Sequence, residues 1–199
     1  NLCKTRRDKL IVGLMYECGL RLGEVLGLYI EDYEMQNHLI RIVSRDNNYN
    51  GARVKNERGG VVYVPKYLEK ILYNYIVFDL DAYDTNYMFV NMRGKNIGEP
   101  MKAITVQKMF ERLSEKAGFH VTPHMCRHGF ATARINSGWD AIDIKDALRH
   151  KNIQTTGIYA HISNETKIKK TREYYEKINK DFGHDKIDLL LDNDEGMKE

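Results

Sequence analysis

Two runs, "HLIRIV" at 38–43 and "GVVYVP" at 60–65, carry strand character, with β-branched residues or apolar and polar positions in alternation. Across a polar, glycine-containing link they are expected to pair as a small antiparallel sheet, the second strand ending at Pro65. The remaining body must then come from helices, and the periodicity agrees. Leu10, Ile11, Leu14 and Met15 predict a helix over 7–17, which Gly19 can end, and "RLGEVLGL" adds another turn or two. Leu68, Ile71, Leu72 and Tyr75 share one face of a helix over 66–78, and "NYMFVN" (86–91) reads as a short extended piece. Further helices are expected around 104–117, 123–137, 140–149 and 164–180, with Pro123, Gly118 and Gly138 where starts and stops should fall. The expected class is α+β, mainly α-helical with a small antiparallel β-sheet.

At 199 residues, 42% hydrophobic and 30% charged, the chain can bury one core and is not composed like a disordered one. Three prolines and no linker-like, repeated or low-complexity segment mark no internal boundary. No run of about 18 apolar residues offers a transmembrane helix. The opening "NLCKTRRDKL" has neither methionine nor an apolar leader, so a fragment lacking its upstream portion is expected. Cys3, Cys18 and Cys126 are odd in number, scattered and without metal-ligand spacing, which fits a reducing compartment and a cytoplasmic location. Net charge is only +3, but the closing "DKIDLLLDNDEGMKE" is acidic, so the preceding body is more basic than the total.

Four basic features stand out. In "CGLRLGEVLGL" (18–28), Arg21 sits at a helix start and Glu24 follows at i+3, where it can orient the guanidinium; alone, this fits a snorkelling surface arginine as well. In "VKNERGG" (54–60), Lys55 opens a hairpin-like connection, where a lysine is ordinarily just solvated. In "TPHMCRHGFATARINSG" (122–138), Thr122 suits an N-cap and Pro123 the first helical position. His124 and Arg127 then share one face near a helix N-terminus, whose amides and dipole favour an anion such as phosphate. His124 and His128 stand at i and i+4, but the zinc protease pattern needs Glu where Met125 stands, and no metal is expected. In "ALRHKNIQTTGIYAHIS" (147–163), His150 lies nine positions before Tyr159. Each feature alone has an ordinary explanation.

The order Arg21, Lys55, His124, Arg127, His150, Tyr159, with these local motifs, resembles the catalytic domain of the tyrosine recombinases, the phage integrase family. The family's "GLR..E" segment is matched by Gly19, Leu20, Arg21 and Glu24, and its hairpin lysine by Lys55. Its H-x-x-R-H helix start is matched by His124, Arg127 and His128, and its last segment by Leu148, His150, Thr155, Thr156, Tyr159 and His161. The resemblance covers about residues 5–180. Arg149 stands where the family usually has glycine and Cys126 where leucine is common, neither at a catalytic position. Arg53, Arg58 and Lys66 lie near Lys55 and compete for its assignment.

The resemblance implies a catalytic domain over 1–180, preceded by a core-binding domain that this fragment lacks. It also implies a tail, 181–199, that docks on a neighbouring protomer or folds back on its own domain. The implied reaction is site-specific DNA recombination by strand cleavage and religation through a covalent 3′-phosphotyrosine. The type is an integrase or transposase of a mobile element, encoded by a bacterium or phage. Arg21 and Arg127 would neutralise the phosphate, whose oxygens suit their planar forks, with Glu24 orienting Arg21. A tyrosine of pKa near 10 is only about 0.1% phenolate at pH 7, so His124 would accept the Tyr159 proton. Lys55 would protonate the departing 5′-oxygen and His150 would donate to a non-bridging oxygen, without metal, cofactor or ATP. Gly157 is an expected hinge for the tyrosine. Arg41, Arg45, Arg53, Lys102, Lys108 and Arg134 are candidates for contacts to DNA backbone phosphates. The implied partner is double-stranded DNA, bound by a homo-tetramer in the synaptic complex, with a monomer allowed for the free chain and no membrane. The rivals are a type IB topoisomerase, which shares the chemistry, and a catalytically silent DNA-binding module. The silent module would be expected to have lost Tyr159 or an arginine, and every position is filled.

Overall fold

Thr5 starts the first helix by accepting a hydrogen bond from the Asp8 amide at 3.1 Å. The helix, α1 (Arg6–Glu17), then buries Leu10, Ile11, Leu14 and Met15, the positions that predicted it. The computed structural model describes residues 2–54, 59–149 and 164–181. Helix α1 packs against both α3 (Lys66–Asn74) and α5 (Pro123–Asn136), and so joins the two halves of the chain. A short α2 (Leu22–Leu26) follows α1 directly.

The sheet has three antiparallel strands in the order β1 (Tyr33–Glu34), β2 (Leu39–Ile42) and β3 (Gly60–Tyr63). Ile40 pairs with Val62 and Ile42 with Gly60, which buries Ile40 and Ile42 while Arg41 faces out. The two expected strands form, each shorter than its run. β1 was not expected, since two residues are too short to show a period of two. The Tyr33 hydroxyl donates to Glu69 Oε1 at 2.6 Å, and His38 Nδ1 lies 2.8 Å from the same oxygen, tying the sheet to α3.

The helix expected over 66–78 is α3 followed by a π-helical turn, Tyr75–Leu80. Tyr75 is fully buried there and stacks on Phe89, ring centroids 5.8 Å apart. Residues 86–91, expected as an extended piece, form no strand, only isolated bridges of Tyr87 to Tyr29 and Val90 to Pro100 with bends at Asn86 and Met88. Then come α4 (Ala103–Ala117), closed by Gly118, and α5, whose first residue is Pro123. α6 (Ala141–Ala147) and α7 (Asn164–Asp181) complete the described helices. Among the described residues no helix is long and apolar enough to cross a membrane.

Arg134 corrects one expectation. It is 0% exposed and cannot reach DNA. Its guanidinium lies 3.5 Å from the Phe130 ring centroid and 4.7 Å from that of Tyr174, and donates to the Glu17 carbonyl at 2.7 Å. It also donates to the Tyr175 hydroxyl at 3.2 Å, and that hydroxyl donates onward to the Glu17 carboxylate. The cluster fastens α7 to α1 and α5, and Lys170 adds an ion pair to Asp143 on α6. Tyr175→Phe deletes a buried donor to Glu17 and an acceptor for Arg134. It should cost about 1–3 kcal/mol, read as a lower urea midpoint with an unchanged slope.

Candidate active site

Arg21 is the N-cap of α2, and Glu24 is the third helical residue. The Arg21 amide donates to Glu24 Oε2 at 2.8 Å, while its guanidinium Nη1 donates to Glu24 Oε1 at 2.7 Å. One carboxylate therefore caps the helix and aims the arginine. The Glu24 side chain is 0% exposed and Arg21 keeps 20%. The sequence pattern left a solvated Arg21 open; the buried carboxylate closes that option.

Arg127 comes from α5. The Thr122 side chain caps that helix by accepting from the Met125 amide at 3.2 Å. Along α5, Arg127, Phe130 and Arg134 turn inward, and the exposed His124 and His128 turn outward. Arg127 donates through Nη1 to the Gly19 carbonyl and through Nη2 to the Leu148 carbonyl, and stands 3.8 Å from Glu24. Gly19 presents that carbonyl from a left-handed conformation (φ 64°), at the link between α1 and α2.

A third guanidinium completes the cluster. Arg149 Nη2 donates to Glu24 Oε2 at 2.7 Å and lies 3.4 Å from the Gly19 carbonyl. Sequence reasoning set this residue aside as a non-catalytic departure. The available signal was an arginine next to His150 at a position that glycine usually fills. Burial pushes the Glu24 carboxyl up, but the Arg149 charge and the hydrogen bonds from Arg149 and Arg21 outweigh it, so the group sits below the usual carboxylate range. Burial, then the neighbouring Arg21 charge, pulls Arg127 down to about 9 against the raising effect of Glu24. Arg127 stays cationic at neutral pH. Three guanidiniums meet one carboxylate here, leaving an excess of positive charge that an anion can take up.

His124 lies one turn before Arg127 on α5, exposed, with its Nε2 2.9 Å from His128 Nε2. Lys55, His150, Tyr159 and the hinge residue Gly157 lie outside the described residues, as does the tail beyond Asp181. Among the DNA-contact candidates, Arg41 is 53% exposed on its side chain, with Glu34 at 3.1 Å, and Arg53, Lys102 and Lys108 are exposed. Arg45 is engaged internally: its fork holds Asp32 at 2.7 and 2.9 Å and its guanidinium lies 4.0 Å from the Tyr29 ring centroid.

Residues 1–166 match the phage integrase family. Transposase A from transposon Tn554 of Staphylococcus aureus is 34% identical over 177 residues, 88% of this chain and 49% of that protein. Tyrosine recombinase XerA of Saccharolobus solfataricus is 30% identical over 165 residues, 81% of this chain and 48% of that protein. The chain thus spans about half the length of these curated relatives. Among solved structures, a XerA recombinase superimposes with a TM-score of 0.62 at 29% identity, over 86% of this chain and 58% of that one. The Tn1549 transposon integrase in complex with a circular intermediate DNA gives 0.57 at 25%, over 85% and 57%.

Proposed function

Because the chain belongs to the phage integrase family, we propose that it is the catalytic domain of a site-specific DNA recombinase, of the kind that moves a mobile element. The observation that carries this reading is the buried Glu24 carboxylate ringed by Arg21, Arg127 and Arg149, a preorganised site for an anion of phosphodiester geometry. Relatives named as recombinases and a transposase favour strand exchange over the relaxation of supercoils by a topoisomerase.

In the proposed reaction the Tyr159 phenol oxygen attacks the scissile phosphorus. A P–O bond to tyrosine forms as the P–O5′ bond breaks. His124 accepts the phenol proton and Lys55 supplies one to the departing 5′-oxygen. Arg21 and Arg127 stabilise the charge that grows on the non-bridging oxygens, helped by a hydrogen bond from His150. Religation runs the same steps backwards with a 5′-hydroxyl as nucleophile. The exposed Arg41, Arg53, Lys102 and Lys108 fit contacts to flanking phosphates, which set affinity and register. Double-stranded DNA is the partner, and a tetramer on two aligned sites would exchange the strands. Residues 181–199 are then the segment with which neighbouring protomers would be linked.

A trapping experiment tests this. The protein is incubated with a pool of randomly nicked duplex DNA, so that a short 5′-hydroxyl strand can diffuse away after cleavage. The denatured adduct is digested with protease and its nucleotide-bearing peptide sequenced by mass spectrometry. A 3′-phosphoryl nucleotide on Tyr159 is expected. The absence of any adduct, or a nucleotide on another residue, would count against the reading.

A further inference from the structure

Arg149 has a backbone φ of 54°, the left-handed region that an L side chain enters at a cost. Its Nε is buried with no hydrogen-bond partner among the described residues, a second cost. Its stem passes over Gly60, where a Cβ would stand 2.9 Å from Arg149 Cδ, so β3 must offer a residue without a side chain at that point. A glycine at 149 would avoid the strain and the unpaired donor. The side chain here instead reaches Glu24 Oε2 at 2.7 Å, with 9% of its surface exposed.

That reach has a consequence for the other two arginines. Arg21 Nη2 donates to the carbonyl of Arg149 itself at 3.3 Å, and Arg127 Nη2 donates to the carbonyl of Leu148. The guanidinium of Arg149 thus anchors to α2 the short main-chain segment whose carbonyls hold Arg21 and Arg127. It occupies one Glu24 oxygen, and His150 follows it directly in sequence. We propose that Arg149 is a positioning residue of the phosphate site, a clamp that fixes both arginines by gripping Glu24. The proposal rests on the recombinase reading for its effect on cleavage, and on geometry alone for its effect on the two arginines.

The test compares R149G and R149K with the unaltered chain. R149G relieves the left-handed backbone, which offsets part of the loss of one buried partner of Glu24. With Arg21 still paired to Glu24 it should remain folded in the absence of denaturant, where the rates are compared. Its rate of phosphotyrosyl adduct formation on randomly nicked duplex should nevertheless fall roughly 10- to 100-fold, the range typical of groups that orient a reactive ligand from behind. R149K keeps a cation for Glu24 and should recover most of that loss. Wild-type cleavage by R149G, or a loss that merely follows unfolding, overturns the clamp. A readout that needs no cleavage separates the two ideas. In 15N-labelled protein the guanidinium Nε–H signals of Arg21 and Arg127 should shift and broaden in R149G and return in R149K. If the unaltered chain forms no adduct, the recombinase reading fails and these signals alone judge the clamp; unchanged signals in R149G overturn it.

Discussion

Arg127→Lys should slow formation of the phosphotyrosyl adduct by about two to three orders of magnitude, the scale of losing one donor aimed at developing transition-state charge. Charge alone does not decide the outcome, because lysine keeps it. Arg127 is 7% exposed, and its two terminal nitrogens are spent on the Gly19 and Leu148 carbonyls. Each terminal nitrogen carries two N–H groups, so a guanidinium can hold both carbonyls and still have in-plane N–H groups for a phosphate; an ammonium is a point donor on a flexible stem and can satisfy fewer of these partners at once. The variant should stay folded, with a near-ultraviolet dichroism spectrum like that of the unaltered chain, and should bind duplex DNA with similar salt dependence, since exposed residues carry that contact. Single-turnover adduct formation is the measurement. A rate within a factor of about three of the unaltered chain would remove Arg127 from the chemistry.

Glu24→Gln should destabilise the fold by about 3–5 kcal/mol, the cost of removing one partner from a buried ion pair. The change is nearly isosteric, so little cavity opens. Three guanidiniums then face an amide whose nitrogen is itself a donor, and the Arg21 amide at 2.8 Å loses a charged acceptor. The pH dependence identifies the carboxylate as the cause. Glu24 is held below the usual carboxylate range in the folded state, so its contribution is complete above the unfolded value of about 4.3. It fades as pH falls through the folded value, because the folded protein must then take up the proton it resisted. The difference in urea unfolding free energy between the two proteins should be full at neutral pH and shrink under acid. A difference that does not change with pH would assign the loss to shape instead of charge.

Much of the fold was readable from period and punctuation. Thr122 and Pro123 start a helix as their chemistry predicts, and Ile40 and Ile42 alternate with Arg41 because β2 has one buried face. The π-helical turn at Tyr75–Leu80 was not readable, since one changed hydrogen-bond register leaves the apolar spacing intact. The pairing of Arg21 with Glu24 was readable from their spacing, because helix-start chemistry acts over three or four residues, whereas the placing of Arg127 beside them was implied only by the family resemblance. The sequence by itself determined the class of fold, the helix starts and the candidates for the chemistry.

Tertiary structure alone decided which arginines serve the site. Arg134 looked like Arg127 two turns on along the same helical face, yet it lies in the core because Glu17, 117 positions away along the chain, and Tyr175 close around it. Arg149 looked like a neutral departure, yet it joins the site because the turn after α6 brings it to Glu24, 125 positions away. A guanidinium has the same local signature whether it meets water, phosphate or a buried carboxylate. Its role is set by the desolvation it undergoes and the partner that compensates for it, and both depend on which distant segments the fold packs against it.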